Sequence, residues 1–257
     1  DHPRVLTVRG IPGARFGNQI FLYASLLGIA AKNNMSVFYP PGYFNKLFDT
    51  FQMNNTRKLS VPVTFDMKNA ALLDGTHFKC AERLKLPGTM KNVSVFLKGY
   101  LHCFHNFEDI SEFLHKELVF NSTLQNRAVR ELKKLKQGHH NVVSVGVHVR
   151  RGDFTYRHNI EKGLIPAPEG YFFRAMDHYR KLHRNVIFVV ASDDESWVKK
   201  HLNSSDVVLS TGSNDVEDLA IIVNCDDILI SSGTFGWWAA WLNQGHVVYY
   251  KGYPPVN

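Results

Sequence analysis

His148, Arg150, Arg151 and Asp153 stand together in the stretch HVRRGDF. An arginine presents its donors as a planar fork that matches phosphate oxygens in pairs, which a lysine ammonium does not do. Two such side chains in succession suit a doubly charged phosphate group; the alternative from spacing alone is a surface ion pair between Arg151 and Asp153. A second run, Ser231-Ser232-Gly233-Thr234, puts small hydroxyl residues directly ahead of a helix carrying Phe235, Trp237, Trp238 and Trp241. Helix N-termini hold unsatisfied N–H groups and favour anions, so this turn is a second anion-binding candidate. The tryptophans read as core rather than as a sugar platform. Asp193-Asp194 invites a Mg²⁺ reading, but it lacks D-x-D spacing, and a cap for the following helix is preferred. Asp218 opens a further helix after Gly212-Ser213-Asn214. His102, Cys103 and His105 invite a zinc reading, which we reject because no CxxC or HExxH spacing supports it. Arg151-Gly152-Asp153 spells an adhesion tripeptide, treated as coincidence because it lies at the tip of a core strand.

The elements that must position these groups follow from periodicity. Val143, Val145, Val147 and Val149 alternate with Ser144, Gly146, His148 and Arg150, the pattern of a strand with one apolar face. Gly152 breaks it, so the strand delivers His148 and both arginines to its C-terminal tip, where open α/β sheets bind ligands. Beyond it, helices are expected at 169–183, 195–202, 216–223 and 235–242, with strands at 186–191, 207–210, 227–230 and 247–250. Strands alternating with helices mean βαβ units and a parallel sheet, here of five strands. Ahead of it, a strand at 5–8 leads through Gly10, Gly13 and Gly17 into a helix from Asn18 to Asn33, with Ile20, Tyr23, Ala24, Leu27 and Ala31 at helical spacing. That glycine-rich turn is neither GxGxxG nor a P-loop, and a simple tight turn is its bland alternative. Strands at 36–39 and 93–100, a strand at 60–65, a short helix at 65–73 and helices at 110–118 and 124–135 complete the first half, where Phe48, Phe51 and Met53 read as buried. The polar break 137–141 marks the domain boundary, giving domains 1–138 and 139–257.

A length of 257 residues, 44% hydrophobic and 21% charged, suits one large or two ordinary globular domains. The net charge of +7 is spread along the chain, and its densest run, 130–136, reads as a solvated helix face. No zinc finger or RNP-like motif points to nucleic acid. Cys80, Cys103 and Cys225 allow one disulfide at most. No apolar run reaches the ~18 residues of a membrane span. Sequons at Asn34, Asn54, Asn92, Asn121 and Asn203 tilt the reading toward a lumenal or secreted protein. Asn54, Asn92 and Asn203 lie in loop-like surroundings. Sequons without a leader suggest a processed chain trimmed of its anchor.

These motifs together resemble one family. HVRRGDF at 148–154 is similar to the signature of the galactoside α1,2-fucosyltransferases, glycosyltransferase family 11. SGTFGWWAAWL at 232–242 resembles their last motif and FGNQ at 16–19 their first, with VVASDDESW at 189–197 and DLAIIVNC at 218–225 between. The resemblance implies an α/β, GT-B-like fold, two Rossmann-like domains facing across a cleft, the N-terminal one on the acceptor side and the C-terminal one binding GDP-β-L-fucose. It implies transfer of L-fucose with inversion, no metal, no cofactor besides the donor substrate, and a glycan acceptor, by family default the 2-hydroxyl of a terminal β-galactose. It further implies Golgi residence as a membrane-anchored type II protein. On the same basis Arg150 serves the donor β-phosphate and His148 the nucleotide, while Arg151 and Asp153 brace their loop. Asp218 accepts guanine N–H bonds, Ser232, Thr234 and Phe235 form the phosphate and nucleotide turn, and Asn18 reaches the reacting sugar. Gly17 and Asp193 are included in the donor site. Arg150, Asn18 and His148 form the catalytic set. No general base is evident, a carboxylate or His102 being the options. The rival readings are another fucosyl linkage or acceptor, and a catalytically silent glycan-binding protein that would not bind GDP.

Overall fold

The computed structural model describes residues 4–8, 11, 13–53, 70–76, 80, 82–90, 92–138 and 141–253. The chain divides into two compact units, Asp1–Asn121 and Ser122–Asn257.

The first unit is a four-stranded parallel sheet in the order β2-β1-β4-β3, made of β1 (Val5–Val8), β2 (Ser36–Phe38), β3 (Ala71–Asp74) and β4 (Val95–Lys98). Helix α1 (Phe16–Lys32) follows β1 and is buried at every residue from Ile20 to Ala30. That is more than the one-sided stripe expected from sequence; of the five spaced positions only Ala31 is exposed. A helix apolar all round is the signature of one covered on all sides. α1 begins at Phe16, so Gly17 and Asn18 lie inside its first turn rather than ahead of it. Among the described residues the unit also holds the α-helices α2 (Asn45–Thr50) and α3 (Ser111–Glu117). Phe51 and Met53 are buried, whereas Phe48 is half-buried. The strand expected at 60–65 lies outside the described residues. The helix expected at 65–73 is overturned at its described end, where Ala71–Leu73 pair in register with β4. Its alternating half-exposed pattern marks an edge strand, a periodicity too short to separate from a helical turn by eye.

The second unit holds a five-stranded parallel sheet, order β7-β6-β5-β8-β9, from β5 (Val143–Val149), β6 (Val186–Ser192), β7 (Val207–Leu209), β8 (Asp227–Ile230) and β9 (Val247–Tyr249). Its helices of seven residues or more are α4 (Ser122–Leu135), α5 (Glu169–Leu182), α6 (Glu195–His201), α7 (Asp215–Val223) and α8 (Gly233–Leu242). The expected elements are present within a residue or two of their expected ends. Helix α4, assigned to the first half on sequence, packs with the second: Gln125 and Asn224 exchange hydrogen bonds of 2.6 and 3.2 Å, and Arg127 pairs with Glu217 at 2.7 Å. The expectation of one apolar face on β5 is corrected. Val145, Val147 and Val149 are fully buried, but Ser144 is too, and His148 is 6% exposed. A central parallel strand is covered by helices on both faces, so its polar residues are buried with the rest. Trp238 is fully buried; Trp237 and Trp241 pack edge-on and stacked against the same cluster.

Cys80 and Cys103 form a disulfide and Cys225 is a buried free thiol. Among the described residues no group of three or more metal-ligating side chains gathers. His105 pairs instead with Glu108. No helix of the described residues is long and apolar enough to cross a membrane. Of the sequons, Asn34, Asn92 and Asn203 are exposed, and Asn121 donates its amide to the Asp49 carbonyl at 2.6 Å. Asn54 lies outside the described residues.

Candidate active site

The candidate site of the second unit is built where β5, β6 and β8 end side by side. The register of β5 against β6 sets Val149 beside Ser192, so the next residues of each strand, Arg150 and Asp193, emerge as neighbours. Arg150 is 9% exposed. Its guanidinium pairs with the carboxylates of both Asp193 and Asp153 and lies over the Phe154 ring, 4.9 Å from its centroid. Two carboxylates and an aromatic face fix the plane of a fork that has five N–H donors to offer. Removing either carboxylate would leave a nearly buried cation under-compensated, the costly case for buried charge.

The backbone of this tip is tied to its neighbour. Arg150 N donates to Ser231 Oγ at 2.8 Å, while Ser231 donates its N–H and hydroxyl to the His148 carbonyl at 3.1 and 2.9 Å. Ser231 leads through Ser232 into α8. Gly233 adopts φ +86°, a left-handed conformation that only glycine takes without strain, and the aliphatic stem of Arg150 lies over it. The start of a ten-residue helix thus lies beside the arginine, as expected for an anion-binding turn. Ser232 is 2% exposed, and its hydroxyl has no hydrogen-bond partner among the described residues.

His148 is buried beneath the same turn. Its ring meets that of Phe235 at 4.9 Å, and a Cβ on Gly236 would come within 2.6 Å of its Nδ1. Nδ1 has no partner among the described residues. Burial first, and the Arg150 charge second, push its pKa down to about 3, so the imidazole is neutral in the folded chain.

The remaining carboxylates separate by role. Asp194 caps α6, accepting from Trp197 N at 3.0 Å, as the sequence suggested. Asp193 does something else: besides pairing with Arg150, it accepts from Arg151 N at 2.8 Å. The suggested Arg151–Asp153 pair is not what forms. Arg151 pairs with Asp194 at 3.1 Å and lies 4.3 Å over the Trp197 ring, a held position rather than a free adhesive turn. Asp218 sits in the first turn of α7 beside the tail of β7. Burial raises its pKa, opposed by hydrogen bonds from the Ser210 hydroxyl and the Gly212 backbone. A partly desolvated carboxylate with such partners can accept N–H donors from a ring.

Of the expected site residues, His148, Arg150, Arg151, Asp153, Asp193, Ser232 and Phe235 gather at the β5/β6/β8 tips, with Thr234 in the first turn of α8. Asp218 belongs to the β7 edge of the same unit. Gly17 and Asn18 belong to the first unit. Sequence reasoning had Ser231 in the anion-binding turn but not as the tie between the strand tips, and it missed Phe154 and Trp197 as supports; the only signal for those two was their position next to charged strand ends.

An α/β chain with two parallel sheets is the fold of solved fucosyltransferases. The chain is similar to the fucosyltransferase NodZ from Bradyrhizobium, with 12% identity and a TM-score of 0.58 over 98% of both chains. It is also similar to POFUT1 in complex with GDP-fucose, with 12% identity and a TM-score of 0.59 over 97% of this chain and 98% of that one. The family model for glycosyl transferase family 11 matches residues 7–253, and the chain belongs to that family. It is 31% identical over 248 residues to galactoside alpha-(1,2)-fucosyltransferase 1 of Rattus norvegicus, and 30% over 247 residues to a galactoside 2-alpha-L-fucosyltransferase of Bos taurus. These matches cover 93% and 91% of the chain, which spans 64% of the length of each relative.

Proposed function

We propose that this chain transfers L-fucose from GDP-β-L-fucose to the 2-hydroxyl of a terminal β-galactose, with inversion and without a metal ion. The observation that carries the reading is the buried Arg150, held by Asp153 and Asp193 against the N-terminal turn of α8. The names of the family relatives, galactoside fucosyltransferases, supply the reaction class and acceptor. Fold relatives complexed with GDP and GDP-fucose make the same donor reasonable.

As the bond between the anomeric carbon and the diphosphate breaks, negative charge gathers on the β-phosphate and the sugar takes on oxocarbenium character. A fixed arginine and the helix N–H groups meet that charge without reorganising, the condition under which such stabilisation is largest. His148, neutral and aromatic, lines the nucleotide with Phe235, and its Nδ1 with the Ser232 hydroxyl provides buried hydrogen-bonding capacity for the diphosphate or ribose. Asp218 accepts guanine N–H bonds. Arg151 and Asp194 hold the loop. Asn18 is assigned to the sugar from the resemblance alone. The disulfide and the exposed sequons suit an oxidising lumen, and we place the protein in the Golgi, held there by a membrane anchor.

The test is transfer from GDP-fucose to methyl β-galactoside in EDTA, with the product linkage read by NMR. An α1,2-linked product supports the reading. GDP-fucose turnover on other glycans alone would remove the galactoside, and failure to bind GDP would remove the donor.

A further inference from the structure

The first unit carries an exposed aromatic pair that the donor chemistry does not use. Tyr100, 41% exposed, stacks on His102 with ring centroids 5.0 Å apart, and His102 rests in turn on Phe21 of α1 at 5.3 Å. Phe21 is buried, so the three rings form a column from core to surface. The column stands at the C-terminal edge of the first sheet, just past β4, where open α/β sheets bind ligands. Asn18 precedes Phe21 by three residues on α1, the spacing that sets two side chains on one helix face.

The backbone beneath the pair is held against its own preference. Leu101 lies at φ +51°, a conformation a branched L side chain rarely adopts. It is fixed by its carbonyl, which accepts from the Ser25 hydroxyl at 2.9 Å and from Cys103 N at 2.7 Å, and by the Cys80–Cys103 disulfide two residues on. Strain over-determined in this way clusters at ligand sites, because it presents side chains that a relaxed loop would not. Tyr100 and His102 retain exposed surface, whereas Leu101 and Cys103 are buried.

We infer that Tyr100 and His102 form the acceptor-sugar subsite: the free face of the Tyr100 ring stacks on the apolar C–H face of a pyranose, and the His102 ring nitrogen hydrogen-bonds a sugar hydroxyl. Galactopyranose presents such a face, since its axial 4-hydroxyl leaves C–H groups at positions 3, 4 and 5 on one side. An aromatic platform selects it by shape and desolvation rather than by charge. The inference rests on the proposed reaction for its choice of sugar. Tyr100 and His102 are positioning groups for the acceptor, separate from Arg150.

The test compares wild type with Tyr100→Ala, Tyr100→Phe and His102→Phe, with Tyr249→Ala as an exposed-tyrosine control in the second unit. Covering ~50 Å² of ring face is worth roughly tenfold in affinity. Tyr100→Ala is expected to raise KM for methyl β-galactoside about tenfold, with KM for GDP-fucose and its galactoside-free hydrolysis unchanged. Tyr100→Phe and Tyr249→Ala are expected to behave as wild type, and His102→Phe to raise the acceptor KM while keeping the stack. Unchanged acceptor KM in Tyr100→Ala overturns the inference, as does an equal loss in the donor reactions. If the wild type transfers no fucose at all, the reaction reading fails separately. Saturation-transfer NMR of methyl β-galactoside on the intact protein then decides the subsite: loss of the signal in Tyr100→Ala supports it, and persistence or absence from wild type overturns it.

Discussion

Acidification from pH 7 to pH 5 should cost this protein stability through one buried imidazole. His148 is 6% exposed, and burial together with Arg150 holds its pKa down to about 3, against an ordinary value near ~6.5 in the unfolded chain. Between those values the unfolded state binds a proton that the folded state refuses, so stability rises with pH across that window and falls as pH drops through it. At pH 7 the unfolded imidazole is mostly neutral and the penalty is small. At pH 5 it is almost fully protonated, and the difference from pH 7 is about 2 kcal/mol. Urea unfolding of ligand-free wild type and His148→Asn, followed at both pH values, isolates this group, because every other titrating residue contributes to both proteins. The substituted asparagine does not titrate, so the variant should lose about 2 kcal/mol less than wild type over the same step. The variant's absolute stability does not enter; only the difference in slope does. Parallel pH slopes would refute the reasoning and would place His148 in a solvated or acid-paired setting.

Three further outcomes follow. Asp218→Asn should weaken GDP binding, measured by calorimetry; in wild type, affinity should fall on acidification as the carboxylate protonates, starting at a higher pH than for an ordinary Asp because burial raises its pKa, and the variant should lack that limb. Gly233→Ala should destabilise by about 1–2 kcal/mol in urea unfolding, since the position sits at φ +86°. The nearest Arg150 atoms lie at 3.7 Å from the added methyl, so backbone strain and not a clash sets the cost. Cys80→Ser with Cys103→Ser should cost roughly 3 kcal/mol, the loop-closure value for a separation of 23 residues, seen as a lower thermal midpoint.

Much of the second unit was legible because its strands and helices alternate with clean periodicities and glycine or aspartate punctuation. The charged tip HVRRGDF stood out for the same reason: polar residues interrupt an apolar run. The pairing inside that tip was not legible. Arg150 and Asp193 are 43 residues apart and meet only through the β5–β6 register, which no local pattern states. Reading Asp193-Asp194 as a capping pair caught the role of Asp194; Asp193 entered the donor site only through the resemblance, and its pairing with Arg150 was not read, because strand ends turn successive side chains to opposite sides. The buried state of His148 was equally hidden, since alternation suggested a solvated face on a strand that helices cover on both sides. In the first unit, the edge strand Ala71–Asp74 is too short and half-exposed to carry a period, and the Tyr100–His102 pair shows only once the backbone turn at Leu101 is known.

The central claim is tested most directly by GDP release from GDP-fucose in EDTA, with and without a panel of β-galactosides, for wild type and Arg150→Lys. The account predicts release by wild type that depends on a galactoside and survives the chelator. A lysine keeps the charge but loses the fork, so the variant should bind GDP yet release product at least ~10³-fold more slowly, a barrier increase of roughly 4 kcal/mol. Galactoside-dependent release at wild-type rate from Arg150→Lys, or release that EDTA abolishes, would contradict it.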